Sequence, residues 1–183
     1  MRKTIATIAL STLMAFGLSG CISGISSYPS AEQSTEFGMN DIMFAQMMIP
    51  HHEQAVELAT IAETNTSNPE ILDLASRIKN AQQPEIDLMK AWLDTSGSGM
   101  DMGHNMNMPG IVSDEDMAAI RAARDTEFDA LFLTHMIAHH KGAIDMVNDL
   151  LSDTTNAEAK ALGQAIITAQ TAEISEMTAL LAE

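Results

Sequence analysis

The chain has 183 residues, a formal net charge of −16 and one cysteine, Cys21. This length suits one ordinary domain with appendages, and so acidic a surface disfavours nucleic acids and anionic lipid headgroups as partners. A single cysteine excludes an intramolecular disulfide, so a packed core must hold the fold together. The fifteen methionines are either core fillers or soft thioether ligands, and their positions must decide between these uses.

The N-terminal region has the pattern of an export signal. Two basic residues precede an apolar run over residues 5–18, which is shorter than a membrane span requires. The run ends in Leu18-Ser19-Gly20-Cys21, a pattern typical of bacterial lipoproteins, in which the cysteine is lipidated. We therefore predict a signal peptide over 1–20, a flexible tether over 21–38, and a lipid-anchored domain in the periplasm or elsewhere outside the cytoplasmic membrane. An ordinary secretory signal with an incidental cysteine is the alternative.

The remainder of the chain, residues 39–183, has a helical pattern. Apolar residues recur at three- and four-residue spacings, and no segment shows the alternation of a strand. Asn68-Pro69-Glu70 is a strong helix start, with a capping residue, a proline and an acid in order. The pattern predicts helices over 39–65, 69–94, 114–123, 126–152 and 156–182, with a Gly- and Met-rich loop over 95–112.

The chain also contains an internal duplication, found by sliding it against itself by 88 residues. The matching segments are 41–93 and 129–181. Identical pairs include Asp41 with Asp129, Phe44 with Phe132, Met48 with Met136, His51-His52 with His139-His140, Gln82 with Gln170 and Glu85 with Glu173. The pattern of each segment predicts a helical hairpin. Because two such hairpins can share one core, the duplication predicts an all-α, up-down-up-down four-helix bundle with a pseudo-two-fold axis.

The duplicated polar residues should meet in one layer of this bundle. His51 and His52 lie on the same broad helix face as apolar residues, and so do His139 and His140. Antiparallel pairing within each hairpin brings a second group level with them. That group is Gln82, Glu85, Gln170 and Glu173. Because buried polar groups are costly unless satisfied, the layer is either a hydrogen-bonded network that fixes the register of the helices or a metal site.

Methionines beside the histidines favour the metal interpretation. Met48 and Met136 lie three and four residues before their histidine pairs, which places each thioether one turn from imidazole. Met47 and His135 stand four residues before His51 and His139 and are additional candidate ligands. Thioether with imidazole favours copper, especially Cu(I), with silver as a further candidate. The glutamines and glutamates of the layer would then hydrogen-bond and orient the imidazole rings.

Iron or manganese is less favoured. Bundles that hold iron between carboxylates carry a Glu-x-x-His motif, whereas this chain has Met-x-x-His at the repeated positions. Glu85 and Glu173 keep that alternative open.

The predicted loop carries a second group of soft ligands, arranged Met-x-Met-x-His-x-Met-x-Met. These residues are Met100, Met102, His104, Met106 and Met108. Surface loops do not need methionine for packing, so this pattern indicates a flexible collector of Cu(I) or Ag(I). A low-complexity accident is the alternative.

The repeated motif resembles a known bacterial family. Residues 48–55 and 136–143 match the paired Met-Ile-Pro-His-His motif of the domain-of-unknown-function family 305, and Phe128-Asp129 and the Gln-x-x-Glu-Ile steps at Gln82 and Gln170 fit its pattern. The resemblance covers residues 39–183. It implies a ferritin-like helical bundle and a role in periplasmic copper binding and tolerance.

The ligands implied by the resemblance are Met48, His51, His52, Met136, His139 and His140. Two departures concern the second half of the site: Ala138 replaces the usual proline, the counterpart of Pro50, and His135 stands where the first half has Met47.

We therefore expect an exported metal-binding lipoprotein that sequesters copper or passes it to an unidentified copper-handling protein. Its membrane contact would be the lipid at Cys21. An oxidoreductase using the same His and Met layer is a less favoured alternative, because the sequence shows neither an open coordination position nor a substrate pocket. A structural lipoprotein with no metal is the second alternative.

The lipid anchor is directly testable. Replacing Cys21 with alanine should abolish incorporation of labelled palmitate and release the protein from the membrane fraction, because the acceptor thiol is lost. Labelling and fractionation of cells that express both forms measure this. An unsubstituted protein that carries no label would contradict the lipoprotein prediction.

Overall fold

A computed structural model describes residues 36–100 and 108–182 of the chain. Five helices account for nearly all of this part, and it contains no strand, which confirms the all-α prediction. The helices are α1 (Met39–Asn65), α2 (Pro69–Ser96), α3 (Asp114–Ala122), α4 (Asp125–Asp153) and α5 (Ala157–Leu180). In the described ranges, no helix combines the length and apolar character that crossing a membrane would need. The predicted signal peptide and most of the predicted tether lie outside the described residues.

The two hairpins begin their second helices in the same way. Asn68 caps α2 by accepting a hydrogen bond from the Glu70 N–H, and Asn156 caps α5 by accepting from the N–H groups of Glu158 and Ala159. Each cap satisfies donors that a helix start leaves unpaired. The duplication is therefore visible in local structure as well as in sequence.

The direction of α4 differs from the predicted up-down-up-down order. Asn68 at the start of α2 donates to Asp129 near the start of α4 at 3.1 Å, so these two helices run the same way. At the opposite end, Asn40 near the start of α1 donates to Asp153 at the end of α4 at 3.4 Å. The four long helices thus run up, down, down and up. The physical reason is that the connection from α2 to α4 returns along the bundle instead of turning at its end.

The core consists of two apolar clusters, one toward each end of the bundle. One cluster joins the second half of α1 to the first half of α4 and includes Leu74, Phe128 and Phe132. The other joins the first half of α1 to the second half of α4 and includes Phe44 and Trp92. The duplicated histidines lie between the two clusters, at mid-height in the bundle.

Two prolines lie inside helices close to that height. Pro50 in α1 immediately precedes His51, and Pro84 in α2 immediately precedes Glu85. Each proline lacks an N–H and so removes one backbone hydrogen bond of its helix. Their counterparts in the second repeat are Ala138 and Ala172, so this weakening of the helix is confined to the first hairpin.

Candidate metal centre

The centre of the bundle holds four histidines with no solvent exposure. They are His51 and His52 on α1 and His139 and His140 on α4. The rings of His51 and His139 face each other across the pseudo-two-fold axis, with centroids 3.7 Å apart. His52 and His140 flank this pair, each with its ring centroid more than 6 Å from that of its neighbour in sequence. The duplicated motif therefore brings four imidazoles into one layer.

The outer two histidines are held by glutamates of the neighbouring helices. The His52 Nε2–H donates to Glu85 Oε2 at 2.8 Å, and the His140 Nε2–H donates to Glu173 Oε2 at 2.7 Å. Because a carboxylate only accepts, each contact places the ring proton on Nε2. The Nδ1 atom of each ring then carries the lone pair, and neither Nδ1 has a hydrogen-bond partner in the protein.

The inner two histidines are not equivalent. The His51 Nε2–H donates to the carbonyl oxygen of Pro109 at 3.0 Å, and its Nδ1 has no partner. Neither ring nitrogen of His139 makes a well-formed hydrogen bond, although the backbone of His51 lies close enough to oppose the lowering of its pKa. Three rings therefore have a defined tautomer with Nδ1 as the acceptor, while His139 has both nitrogens unpaired.

The inner histidines are also held in the neutral form. Burial is the main cause that lowers the pKa of His51 to about 3, the nearby His52 lowers it further, and the Pro109 carbonyl opposes the shift. Burial likewise lowers the pKa of His139 well below its usual range, and the other histidines add to that effect. A neutral imidazole is the form that binds a metal.

Gln82 and Gln170 do not hydrogen-bond a histidine, although the sequence suggested that they would. Both are buried, and neither the oxygen nor the nitrogen of either side-chain amide has a partner. Buried amides are nearly always satisfied, so these groups add further unpaired polar atoms to the layer. Of the four residues expected to orient imidazole rings, the two glutamates contact a histidine directly.

The methionines of the repeated motif are fully buried next to the layer. Met48 packs within the apolar cluster on one side and Met136 within the cluster on the other. The two methionines therefore belong to opposite ends of the core. Met47 and His135 are half-buried.

The loop ligands are only partly described. Met100 is exposed and Met108 is half-buried. Met102, His104 and Met106 lie outside the described residues.

Nitrogen and oxygen ligands alone do not form a metal site in this arrangement. Within residues 36–100 and 108–182, no three side chains among His, Asp and Glu meet in a way that could hold a metal ion. The hard-ligand cage that iron or manganese would need is therefore not assembled there. The donors that are present are unpaired imidazole nitrogens with thioethers one turn away.

From the sequence, we did not predict the segment that covers His51. Val112 donates its N–H to Gln54 Oε1 at 2.7 Å, and Gln54 Nε2 donates back to the Val112 carbonyl at 2.9 Å. On α4, a Cβ at Gly142 would overlap the Pro109 carbonyl. We call residues 109–112 the strap. Gln54 and Gly142 are counterparts in the duplication, so this mismatch between the repeats was the available signal.

The fold and the site define a class: a helical bundle that carries a buried imidazole and thioether layer. The sequence pattern of the DUF305 family, a domain of unknown function, matches residues 41–181. The chain belongs to this family.

Solved structures agree with this assignment. A Streptomyces coelicolor protein of the same family, described as secreted, is 30% identical, with a TM-score of 0.74 over 78% of this chain and 92% of that one. CopM in a Cu(II)-bound form is 32% identical, with a TM-score of 0.65 over 78% of this chain and 95% of that one. CopM in a Cu(I)-bound form is 32% identical, with a TM-score of 0.64 over 76% of this chain and 94% of that one. Silver-bound forms of CopM are also similar. No curated protein sequence matches the chain.

The buried histidines should make the metal-free protein sensitive to acid. Since the pKa of His51 and of His139 is lower in the folded than in the unfolded chain, the unfolded state binds more protons below about pH 6.5. The free energy of unfolding should therefore decrease as the pH is lowered. The slope should approach about 1.4 kcal/mol per pH unit for each histidine. Urea unfolding between about pH 5 and pH 7, the range above most carboxylate titration, measures the slope. The same slope in a His51→Gln/His139→Gln variant would contradict this.

The strap should depend on the small size of Gly142. In the Gly142→Ala protein the new methyl group overlaps Pro109, so the strap must move and the hydrogen bond from His51 is lost. We expect unfolding to become easier by about 1–3 kcal/mol. The control is Gly163→Ala, since a Cβ there meets only the side chains of Val147 and Leu151, the nearest atom at 3.0 Å. Urea unfolding measures the stability loss in both variants. Equal losses would show that the strap does not depend on the space that Gly142 leaves for Pro109.

Proposed function

We propose that this protein is an exported lipoprotein that binds Cu(I) in the cell envelope, as a store or as a carrier that hands the ion on. The observation that carries the proposal is the layer itself. Four buried imidazoles offer unpaired nitrogens, and two buried thioethers lie one turn away. A purely structural network would be expected to close its hydrogen bonds, yet no side chain pairs with His139, and the backbone of His51 offers it only a poorly aligned contact.

The donor chemistry fits a soft ion. Imidazole and thioether together favour Cu(I) and Ag(I) over hard cations. The residues that would hold the ion are Met48, His51, His52, Met136, His139 and His140. Glu85 and Glu173 would fix the outer rings through Nε2, which leaves Nδ1 as the binding atom.

Burial of the layer favours binding over turnover. Three of the cavities on the described surface have no histidine of the layer in their lining. A metal-dependent oxidoreductase needs an open coordination position that substrate can reach. Storage or transfer of copper needs only that the ion can enter and leave.

The relatives support a copper-related role outside the cytoplasm. CopM structures contain Cu(I), Cu(II) and silver, and the Streptomyces relative is described as secreted. With these, the predicted lipid anchor at Cys21 suggests a protein held at a membrane surface in the envelope. The loop methionines from Met100 to Met108 would collect copper, and a copper-handling partner protein would receive it.

Competition for Cu(I) against a chromogenic chelator, without oxygen, tests the proposal on protein purified from cells that express the full chain. Met48→Leu/Met136→Leu preserves apolar volume and should weaken binding by at least about 100-fold, because both thioethers are lost. His51→Gln/His139→Gln should do the same. The matched control is Met89→Leu/Met117→Leu, which changes two buried methionines that have no histidine within four residues.

Two results would overturn the copper assignment. One is that the unsubstituted protein fails to remove Cu(I) from the chelator. The other is that both substituted proteins bind as tightly as the control. Either result would return the histidine layer to a structural role.

A further inference from the structure

A row of soft side chains leads along α1 from the protein surface to the histidine layer. Met39, Met43, Met47 and His51 are spaced four residues apart, so their side chains follow one another along the same face. Their exposure falls in steps: Met39 is 80% exposed, Met43 is 44% exposed, Met47 is half-buried and His51 is inaccessible. Large exposed apolar side chains are uncommon in the described residues, which makes the outer two methionines notable.

The middle of this row lines a cavity between α1 and α4. The cavity has a volume of about 230 Å³ and is bounded by three methionines, Met43, Met47 and Met146. Asp149 and Asp153 also line it, and Asn40 bridges the two helices by donating to Asp153 at 3.4 Å. Phe44 and Leu150 complete a lining that is mostly apolar, in which the three thioethers are the soft donors and the two carboxylates are the acidic groups.

Comparison of the two repeats shows that packing does not require these methionines. The counterpart of Met43 is Leu131, and the counterpart of Met146 is Leu58. Leu131 is half-buried and Leu58 fully buried, so leucine serves the equivalent positions of the same fold. Leucine thus serves two of the three positions in the other repeat, and His135 stands at the third, so three methionines meet on only one side of the pseudo-two-fold axis.

We propose that this cavity, the methionine pocket, is a separate binding site for Cu(I) or Ag(I), with Met43, Met47 and Met146 as its thioether ligands. Thioether sulfur binds these ions and not hard cations. Asp149 and Asp153 attract cations to the opening, because their negative charges lie at the pocket.

The position of the pocket gives it a role in loading the histidine layer. Met47 is one helical turn from His51, so an ion held by Met47 needs to exchange one thioether for one imidazole nitrogen to move inward. This exchange changes neither the oxidation state nor the number of ions. The loading role rests on the proposed copper function of the layer, whereas binding in the pocket does not.

Methyl NMR of the full chain labelled with ¹³C at the methionine methyl groups tests the pocket, with Ag(I) as a redox-inert probe. The signals of Met43, Met47 and Met146 should shift together during the titration, because the methyl group is attached to the ligating sulfur. Met43→Leu/Met47→Leu/Met146→Leu should remove one bound ion per chain. The control Met89→Leu/Met117→Leu should retain it. Absence of a shift in the three pocket signals of the unsubstituted protein would overturn the site.

The same titration on His51→Gln/His139→Gln separates this proposal from the previous one. Pocket signals that still shift would establish a site independent of the layer, even if the layer binds nothing. Pocket signals that no longer shift would show that only one site exists and would overturn the pocket.

Rates test the loading role. In the Met43→Leu/Met146→Leu protein, which keeps Met47, the shifts of Met48 and Met136 should develop at least about tenfold more slowly after mixing, with the affinity of the layer unchanged. Equal rates in the two proteins would overturn the route along α1.

Discussion

The arrangement of the bundle depends on placing four imidazoles between two apolar clusters, where a charge is costly. His51 and His139 achieve this by remaining neutral, since burial lowers the pKa of each ring. His52 and His140 instead contact glutamates that retain some contact with water, with side chains 18% and 11% exposed. Of the two carboxyl groups, that of Glu85 is thus partly exposed, whereas that of Glu173 is largely buried. Imidazole nitrogens can then remain without hydrogen-bond partners at the centre, where a metal ion would bind them.

The duplicated hairpin provides symmetry, and the connection between the hairpins breaks it. The strap crosses His51 and engages its Nε2, whereas the matching atom of His139 is unpaired. Gln54 holds the strap on one repeat, and Gly142 makes room for it on the other. A pseudo-symmetric layer therefore contains two chemically different halves, and the methionine pocket lies beside only one of them.

Periodicity and duplication made much of this structure predictable. The five helices end within two residues of the predicted bounds, and the histidines, Glu85 and Glu173 lie at one level as expected. The direction of α4 was not predictable, because periodicity identifies the buried face of a helix but not its polarity in the bundle. The contact between Pro109 and His51 was not predictable either, because it depends on the path of the long connection between α2 and α4. We expected Gln82 and Gln170 to hydrogen-bond the imidazole rings of the layer, and they do not.

Complete burial of the histidines has a kinetic consequence. Solvent does not reach any of the four rings, so an ion that moves between Met47 and His51 would need the surrounding helices or the strap to open briefly. The residence time of an ion in the layer is then set by how often the protein opens, and not by the strength of the bonds alone. Under the proposed function, such a protein would keep its copper when the free concentration falls suddenly and would release it at the rate at which the helices open.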